Sequence, residues 1–278
     1  MRSSIRRTLI TATLLASALP LALAAQRTAV SSDADWLDNC RNNWGDDRGH
    51  ACEVRDVPVR LSGRTLEIDG RQNGSIRVEG GDGETVKVTA RLQANAGSDA
   101  DAAALLKEVR VTADGRTVRA EGPSDLGGYR TNWSASYVVR VPRRFDLSLD
   151  ASNGSLGIAG VTGKLDLRTT NGSVALSDVG GDVHARTQNG SLNVELAGSA
   201  WDGTGLDAET QNGSVRISVP EKYAAQLETG TVNGRINTDI PITVQGRISR
   251  RLSIPLNGGG KTVRAMTTNG SVRITERR

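Results

Sequence analysis

The chain has 278 residues, with 35 basic and 31 acidic side chains, and sets 32 Gly against only four Trp, three Tyr and one Phe. That composition suits thin repeating coils better than one thick globular core, and leaves no extended aromatic platform for stacking sugars or bases. Residues 1–24 hold three Arg and no acid, so a chain cleaved there carries only +1, and the high pI of the whole gives no case for nucleic-acid binding.

Arg2, Arg6 and Arg7 precede an apolar run from Leu9 to Leu23 that ends in Ala22-Leu23-Ala24, the small-x-small form that signal peptidase cuts. A secretory signal peptide over 1–24 is expected. The run is interrupted by Ser, Thr and Pro20, and no later stretch approaches the length of a spanning helix, so no transmembrane segment is expected after cleavage. A periplasmic or cell-surface location follows.

The next segment, 25–56, is acidic and carries Cys40 and Cys52. In an exported protein two cysteines at this spacing read as a disulfide. A metal site using Cys40, His50 and Cys52 is the sharper alternative, but it lacks a fourth ligand, so no metal and no cofactor is expected.

From Val57 to Val141 short alternating runs persist, as in Leu66 and Ile68, Ile76 and Val78, and Val86 to Leu92. Period two with one apolar face means half-buried strands. One helix interrupts them: Ser98 can cap it, and Ala102, Leu105, Leu106 and Val109 share a face. The stretch from Val109 to Ala120, with Asp114-Gly115 at its middle, reads as a hairpin. The loop from Gly122 to Trp133 then leads into a strand that Pro142 ends.

From residue 142 the chain becomes regular. Asn-Gly-Ser plus an apolar residue recurs at Asn153, Asn171 and Asn189, each 18 residues apart; the signature returns at Asn212, Asn233 and Asn269, and a blurred copy stands at Asn73. The intervals of 23, 21 and 36 read as one coil with five extra residues, one with three, and two coils. The corners Asn73-Gly74, Asn153-Gly154, Asn171-Gly172, Asn189-Gly190, Asn212-Gly213, Asn233-Gly234 and Asn269-Gly270 suit positive φ. Either they close hairpins of a meander or they turn the corners of stacked coils. Only stacking requires flanking side chains to repeat in register, so the expected fold is all-β: a single-stranded parallel β-solenoid (β-helix) of roughly 18-residue coils over 57–278, blurred over 57–141 and regular over 142–278, with one short helix. Val174 and Leu192 should then stack in parallel. A two-domain division near residue 142 is the alternative.

The pattern T-x-NGSV-x-L-x-x-V-x-G, the Val-Pro pairs at Val141-Pro142 and Val219-Pro220, and the C-terminal LNGGGKTVRAMTTNGSVRI resemble the bacterial DUF4097 family of adhesin-like repeat proteins, over roughly Val54 to Thr275. The resemblance implies an exported β-helix and carries no catalytic residues. None is visible in the residues either: His50 and His184 stand alone, there is no G-x-S-x-G, H-E-x-x-H, Walker loop or C-x-x-C, and Gly203-Thr204-Gly205 reads as a loop glycine pair. The outward acids Asp146, Asp150, Asp166, Asp182, Glu195 and Asp207 are interleaved with Arg168, Arg186 and Arg216, which reads as a charge-balanced face.

The expected function is therefore a non-enzymatic, exported envelope module, adhesin-like or structural, whose partner is an envelope glycan or protein. The rivals are a polysaccharide-active enzyme on the same scaffold and a periplasmic partner in envelope-stress signalling. Contact residues are sought where insertions bring rare aromatics, at Tyr129 and Trp133 and at Trp201, and in the basic cluster Arg247, Arg250 and Arg251. Each Trp serves equally well as a cover for an open side of the stack.

Overall fold

The computed structural model describes residues 31–42, 48–61, 63–71, 73–124, 126, 131–240 and 250–277. The leader segment, Tyr129 and Arg247 lie outside them. In chain order the elements are α1 (Asp33–Asn42), β1 (Gly49–Val57), β2 (Thr65–Asp69), β3 (Ile76–Gly81), β4 (Lys87–Ala96), α2 (Asp99–Glu108), β5 (Arg110–Asp114), β6 (Thr117–Glu121) and β7 (Asn132–Pro142). The regular half follows with β8 (Asp146–Ala151), β9 (Leu156–Ala159), β10 (Thr162–Asn171), β11 (Val174–Ser177), β12 (Gly180–Asn189), β13 (Leu192–Glu195), β14 (Gly203–Asn212) and β15 (Val215–Pro220). The last are β16 (Ala225–Asn233), β17 (Ile236–Thr238), β18 (Arg251–Leu256), β19 (Thr262–Asn269) and β20 (Val272–Arg277).

These strands form two ten-stranded mixed sheets, in the orders β1-β4-β7-β3-β9-β11-β13-β15-β20-β17 and β18-β16-β19-β14-β12-β10-β8-β2-β6-β5. In the regular half each circuit of the chain lays one strand on the second sheet and the next on the first. Inward side chains of both fill the space between, and Leu165, Leu167, Val174 and Leu176 are fully buried. Pairing is parallel and in register with the repeat: Val174 faces Leu156 on one side and Leu192 on the other, and Leu192 faces Val215. No hairpin forms at these Asn-Gly corners.

A uniform parallel solenoid over 57–278 is nevertheless not what forms. β1 pairs with β4, β4 with β7, β5 with β6 and β16 with β18, all antiparallel. Stacking order also departs from chain order at both ends. The interval of 36 between Asn233 and Asn269 is not two coils: β18 turns back along β16, and β19 then enters between β14 and β16. Likewise β2 and β3 stack directly on β8 and β9, while β4 to β7 lie outside them. The strands on either side of residue 142 are therefore direct neighbours.

Every residue of T-x-N-G-S has a structural task. Asn171 Nδ2 donates to Asn153 Oδ1 at 2.7 Å, Asn189 to Asn171 at 2.8 Å, and Asn212 to Asn189 at 2.9 Å. The ladder continues through the reordered coils, Asn269 to Asn212 at 2.8 Å and Asn233 to Asn269 at 2.7 Å. The buried Thr187 hydroxyl donates to the Gly172 carbonyl at 2.7 Å, and Thr210 and Thr267 do the same to Gly190 and Gly213. Ser173 N donates to Ser155 Oγ and Ser191 N to Ser173 Oγ. A buried corner backbone is thus satisfied by its own repeat.

The expected reason for glycine is corrected. None of the seven corner glycines has positive φ. They are required because a Cβ on Gly172 would lie 2.0 Å from the Gly154 carbonyl oxygen, and the same distance recurs at Gly154, Gly190, Gly213 and Gly234. The coils approach through their glycine Cα atoms, in the geometry of a Cα–H···O contact. Positive φ occurs elsewhere, as at Gly115 in the β5–β6 turn.

Helix α2 starts at Ser98, whose hydroxyl accepts from Asp101 N at 3.2 Å, and buries Ala102, Leu105 and Leu106 against β1 and β4. Arg55 closes its other end, donating to Val109 O at 2.6 Å and Leu106 O at 2.9 Å, where a cation suits the helix dipole. Helix α1 was not legible from the sequence, because its acidic, polar residues show little apolar face. It is held by the Cys40–Cys52 disulfide and by Arg91, 7 % exposed, which pairs with Asp33 at 2.7 Å and lies 5.7 Å over the Trp36 ring. Reduction is expected to raise hydrogen exchange over 33–42 while leaving the β10–β15 amides protected, because stacked repeats are stable through their neighbours; exchange mass spectrometry with and without reductant reads this directly. Equal loss of protection throughout would contradict it.

Candidate functional site

The outer face of the second sheet is a set of rungs. The residues before four of the corner Asn point outward, so Thr170, Gln188, Gln211 and Thr268 form a polar row across β10, β12, β14 and β19. Two residues earlier stands a charged row: Asp150 faces Arg168, Arg168 faces Arg186, and Arg186 faces Glu209. The two rows floor an open groove of about 690 Å³, to which Val232, Arg251 and Arg264 also contribute.

The charges are arranged in pairs. Arg168 donates to Asp166 at 2.7 Å, and Arg186 lies 3.9 Å from Asp207 and 4.0 Å from Glu209. Arg264 bridges Asp207 and Glu209; burial pulls its guanidinium pKa down, and the bonds to the two carboxylates outweigh this and hold it above the usual value. Asp150 is shifted up, first by burial and then by the neighbouring Asp69 carboxylate, with Arg168 opposing. Four arginines, Arg168, Arg186, Arg251 and Arg264, line the groove with Asp150 and Glu209, and Asp166 and Asp207 beside it pair with Arg168, Arg186 and Arg264, so the charges balance in number. The adjacent guanidinium groups of Arg168 and Arg186 are the part of it that suits an anionic ligand.

A second cavity, of about 470 Å³, opens at the far end of the Asn ladder beside Asn73. Trp133, Leu126 and Pro123 give it an apolar wall, and Asn73, Ser134 and Asn132 a polar one. Trp133 is half-buried, and its indole N–H donates to Pro123 O at 2.9 Å.

Of the expected contact residues, those that are described, Trp133, Trp201, Arg250 and Arg251, do not form one surface. Trp201 is only 5 % exposed, and its Nε1 donates to Gly181 O at 3.0 Å, so the indole covers the stack rather than facing solvent. Trp133 belongs to the end cavity. Arg250 and Arg251 are exposed, and Arg251, on the edge strand β18, reaches the groove. His184 is half-exposed, 3.2 Å from Asp182. Gly203 and Gly205 are not a loop: both lie in β14 at positive φ, where Gly181 pairs with Gly203 and Asp182 with Gly205, so Thr204 is the extra residue of a bulge. The polar row was missed although its signal is plain, since each member directly precedes an Asn-Gly.

Among solved structures, the chain is similar to a candidate cell adhesion protein from Clostridium sporogenes, at 11% identity and TM-score 0.43, covering 82% of this chain and 100% of that one. It is also similar to a candidate adhesin from Bacteroides fragilis, at 13% identity and TM-score 0.36, covering 82% and 97%. A candidate lipid binding protein from Parabacteroides distasonis gives 13% and 0.32, with coverage of 82% and 97%. No curated protein matches the sequence. The sequence itself matches a family model, Toastrack DUF4097, over residues 139–275, from β7 to β20 and through the whole run of regular corners.

Proposed function

We propose that this chain is an exported, non-enzymatic envelope module, adhesin-like in action, that holds an extended acidic glycan along the outer face of its second sheet. The observation that supports this is the pairing of Arg168 and Arg186 on adjacent strands beside the Thr170-Gln188-Gln211-Thr268 row, which repeats the same contact at a spacing of about 4.8 Å. A surface repeating at strand spacing suits a polymer better than a compact substrate. Against catalysis, Asp166, Asp207 and Glu209 are each engaged by an arginine, whereas a general acid or base needs a carboxyl free to exchange its proton. Export is supported by the leader-like N-terminus and the Cys40–Cys52 disulfide. Arg251, exposed on the edge strand β18, stands at the same rim.

Binding of the purified chain to a uronate polymer should weaken steeply with salt. Arg168→Glu combined with Arg186→Glu should lower affinity at least about tenfold, each side chain being more than half exposed, while the unfolding midpoint stays nearly unchanged. Unaltered affinity in the double variant would remove the groove from consideration. Release of new reducing ends from the polymer would move the reading to an enzyme.

A further inference from the structure

The Asn ladder has a direction. Every rung donates Nδ2 toward the same end, and the last step runs from Asn153 to Asn73 Oδ1 at 3.3 Å. Asn73 thus accepts a hydrogen bond, while its own Nδ2 has no partner among the described residues. The reason lies one strand further on. β7 stacks on this coil with Ile76 facing Tyr137, Ser75 N donating to Ser136 Oγ at 3.2 Å, and a Cβ on Gly74 placed 2.0 Å from Ala135 O. In that register Ser134 occupies the place of the next Asn. Its side chain is too short to continue the ladder, and the space of the missing amide opens into the cavity walled by Trp133, Leu126 and Pro123.

We propose that this cavity binds an N-acetylated amino sugar, with the acetamido group taking the place of the next ladder amide. The acetamido carbonyl accepts from Asn73 Nδ2, whose donor strength is raised by the chain of aligned amides behind it. The acetamido methyl and the sugar ring lie against the indole of Trp133, held in orientation by its bond to Pro123 O and by Gly122, where a Cβ would come within 2.8 Å of the ring. Arg71 and Glu121, 3.9 Å apart on the rim, face the ring hydroxyls. Asn73 Nδ2 selects for a carbonyl acceptor, so the amino group of a deacetylated sugar, which has no acceptor when protonated, offers it nothing in that form. This assignment rests on the reading of the chain as a glycan-binding module, but it uses a different site from the groove.

The test is titration of the purified full chain with an oligomer of N-acetylglucosamine and, separately, with its deacetylated counterpart. The acetylated oligomer should bind and the deacetylated one should bind at least about tenfold more weakly, the loss of roughly one hydrogen bond to a well-placed amide. Asn73→Asp keeps the acceptor for Asn153 and removes the donor, so it should reduce affinity by a similar factor. Ser134→Asn extends the ladder into the cavity and should abolish binding while raising the unfolding midpoint, which keeps the test decisive if Asn73→Asp disturbs the corner. Arg168→Glu with Arg186→Glu should leave this binding intact, separating it from failure of the groove. Absence of binding by the acetylated oligomer, equal binding of both oligomers, or unchanged affinity in Ser134→Asn would each overturn the proposal.

Discussion

Gly172→Ala is expected to destabilise the protein by about 3 kcal/mol or more, a large effect for adding one methyl group. The added Cβ would stand 2.0 Å from Gly154 O, 2.5 Å from Gly154 C and 3.0 Å from Ser155 N. All three are backbone atoms, so relief requires moving a whole coil rather than turning a side chain. Separating these two coils stretches the Asn171–Asn153 bond and lifts Val174 from Leu156. Gly157→Ala is the control. Its Cβ would meet only the Arg77 side chain at 4.0 Å and its φ is not positive, so urea midpoints should barely move. If the two variants unfold alike, close approach at the corner is not what selects glycine.

That contrast shows what could be read from the chain and what could not. The 18-residue identity dictated parallel stacking, because only neighbours in space need matching side chains, and Val174 does lie between Leu156 and Leu192. It could not dictate stacking order. A repeat records which residues may neighbour one another, and any coil bearing the signature can take any place in the stack. Asn269 therefore sits between Asn212 and Asn233 without leaving a trace in local sequence. The antiparallel strands were hidden for a related reason. β4 and β18 carry alternating apolar patterns like those of the coils, and alternation fixes which face is buried but not the direction of the partner.

The site was legible to a different degree. The outward charges from Asp166 to Asp207 could be named from alternation alone, and their salt bridges follow from the register. The groove and the end cavity were not visible, since each is made by a boundary of the repeat. One lies where the edge strand β18 brings Arg251 to the rim, and the other where Ser134 takes the register of an Asn. The ends of a periodic structure are set by its exceptions.

Trp201→Ala is expected to cost about 3–5 kcal/mol, the range for removing a large buried aromatic side chain. The residue stands in the insertion that lengthens one coil by five residues. That insertion is pinned by Ala224 N donating to Ser199 O at 2.7 Å and by an isolated bridge between Ala200 and Ala224. The indole closes the corner where β12 and β14 are thrown out of register at the Thr204 bulge, and its N–H satisfies the Gly181 carbonyl. Two contributions should separate. Trp201→Phe keeps most of the apolar volume and loses the hydrogen bond, leaving the half-buried Gly181 carbonyl without the indole donor, so about 1–2 kcal/mol is expected. Trp201→Ala adds the cavity. Glycan affinity should be unchanged in both variants under conditions where they remain folded, because neither the groove nor the end cavity includes this side chain. Urea unfolding and glycan titration on the same samples check both halves. Unchanged stability in Trp201→Ala, with glycan affinity lost, would show that the indole serves the ligand and not the fold.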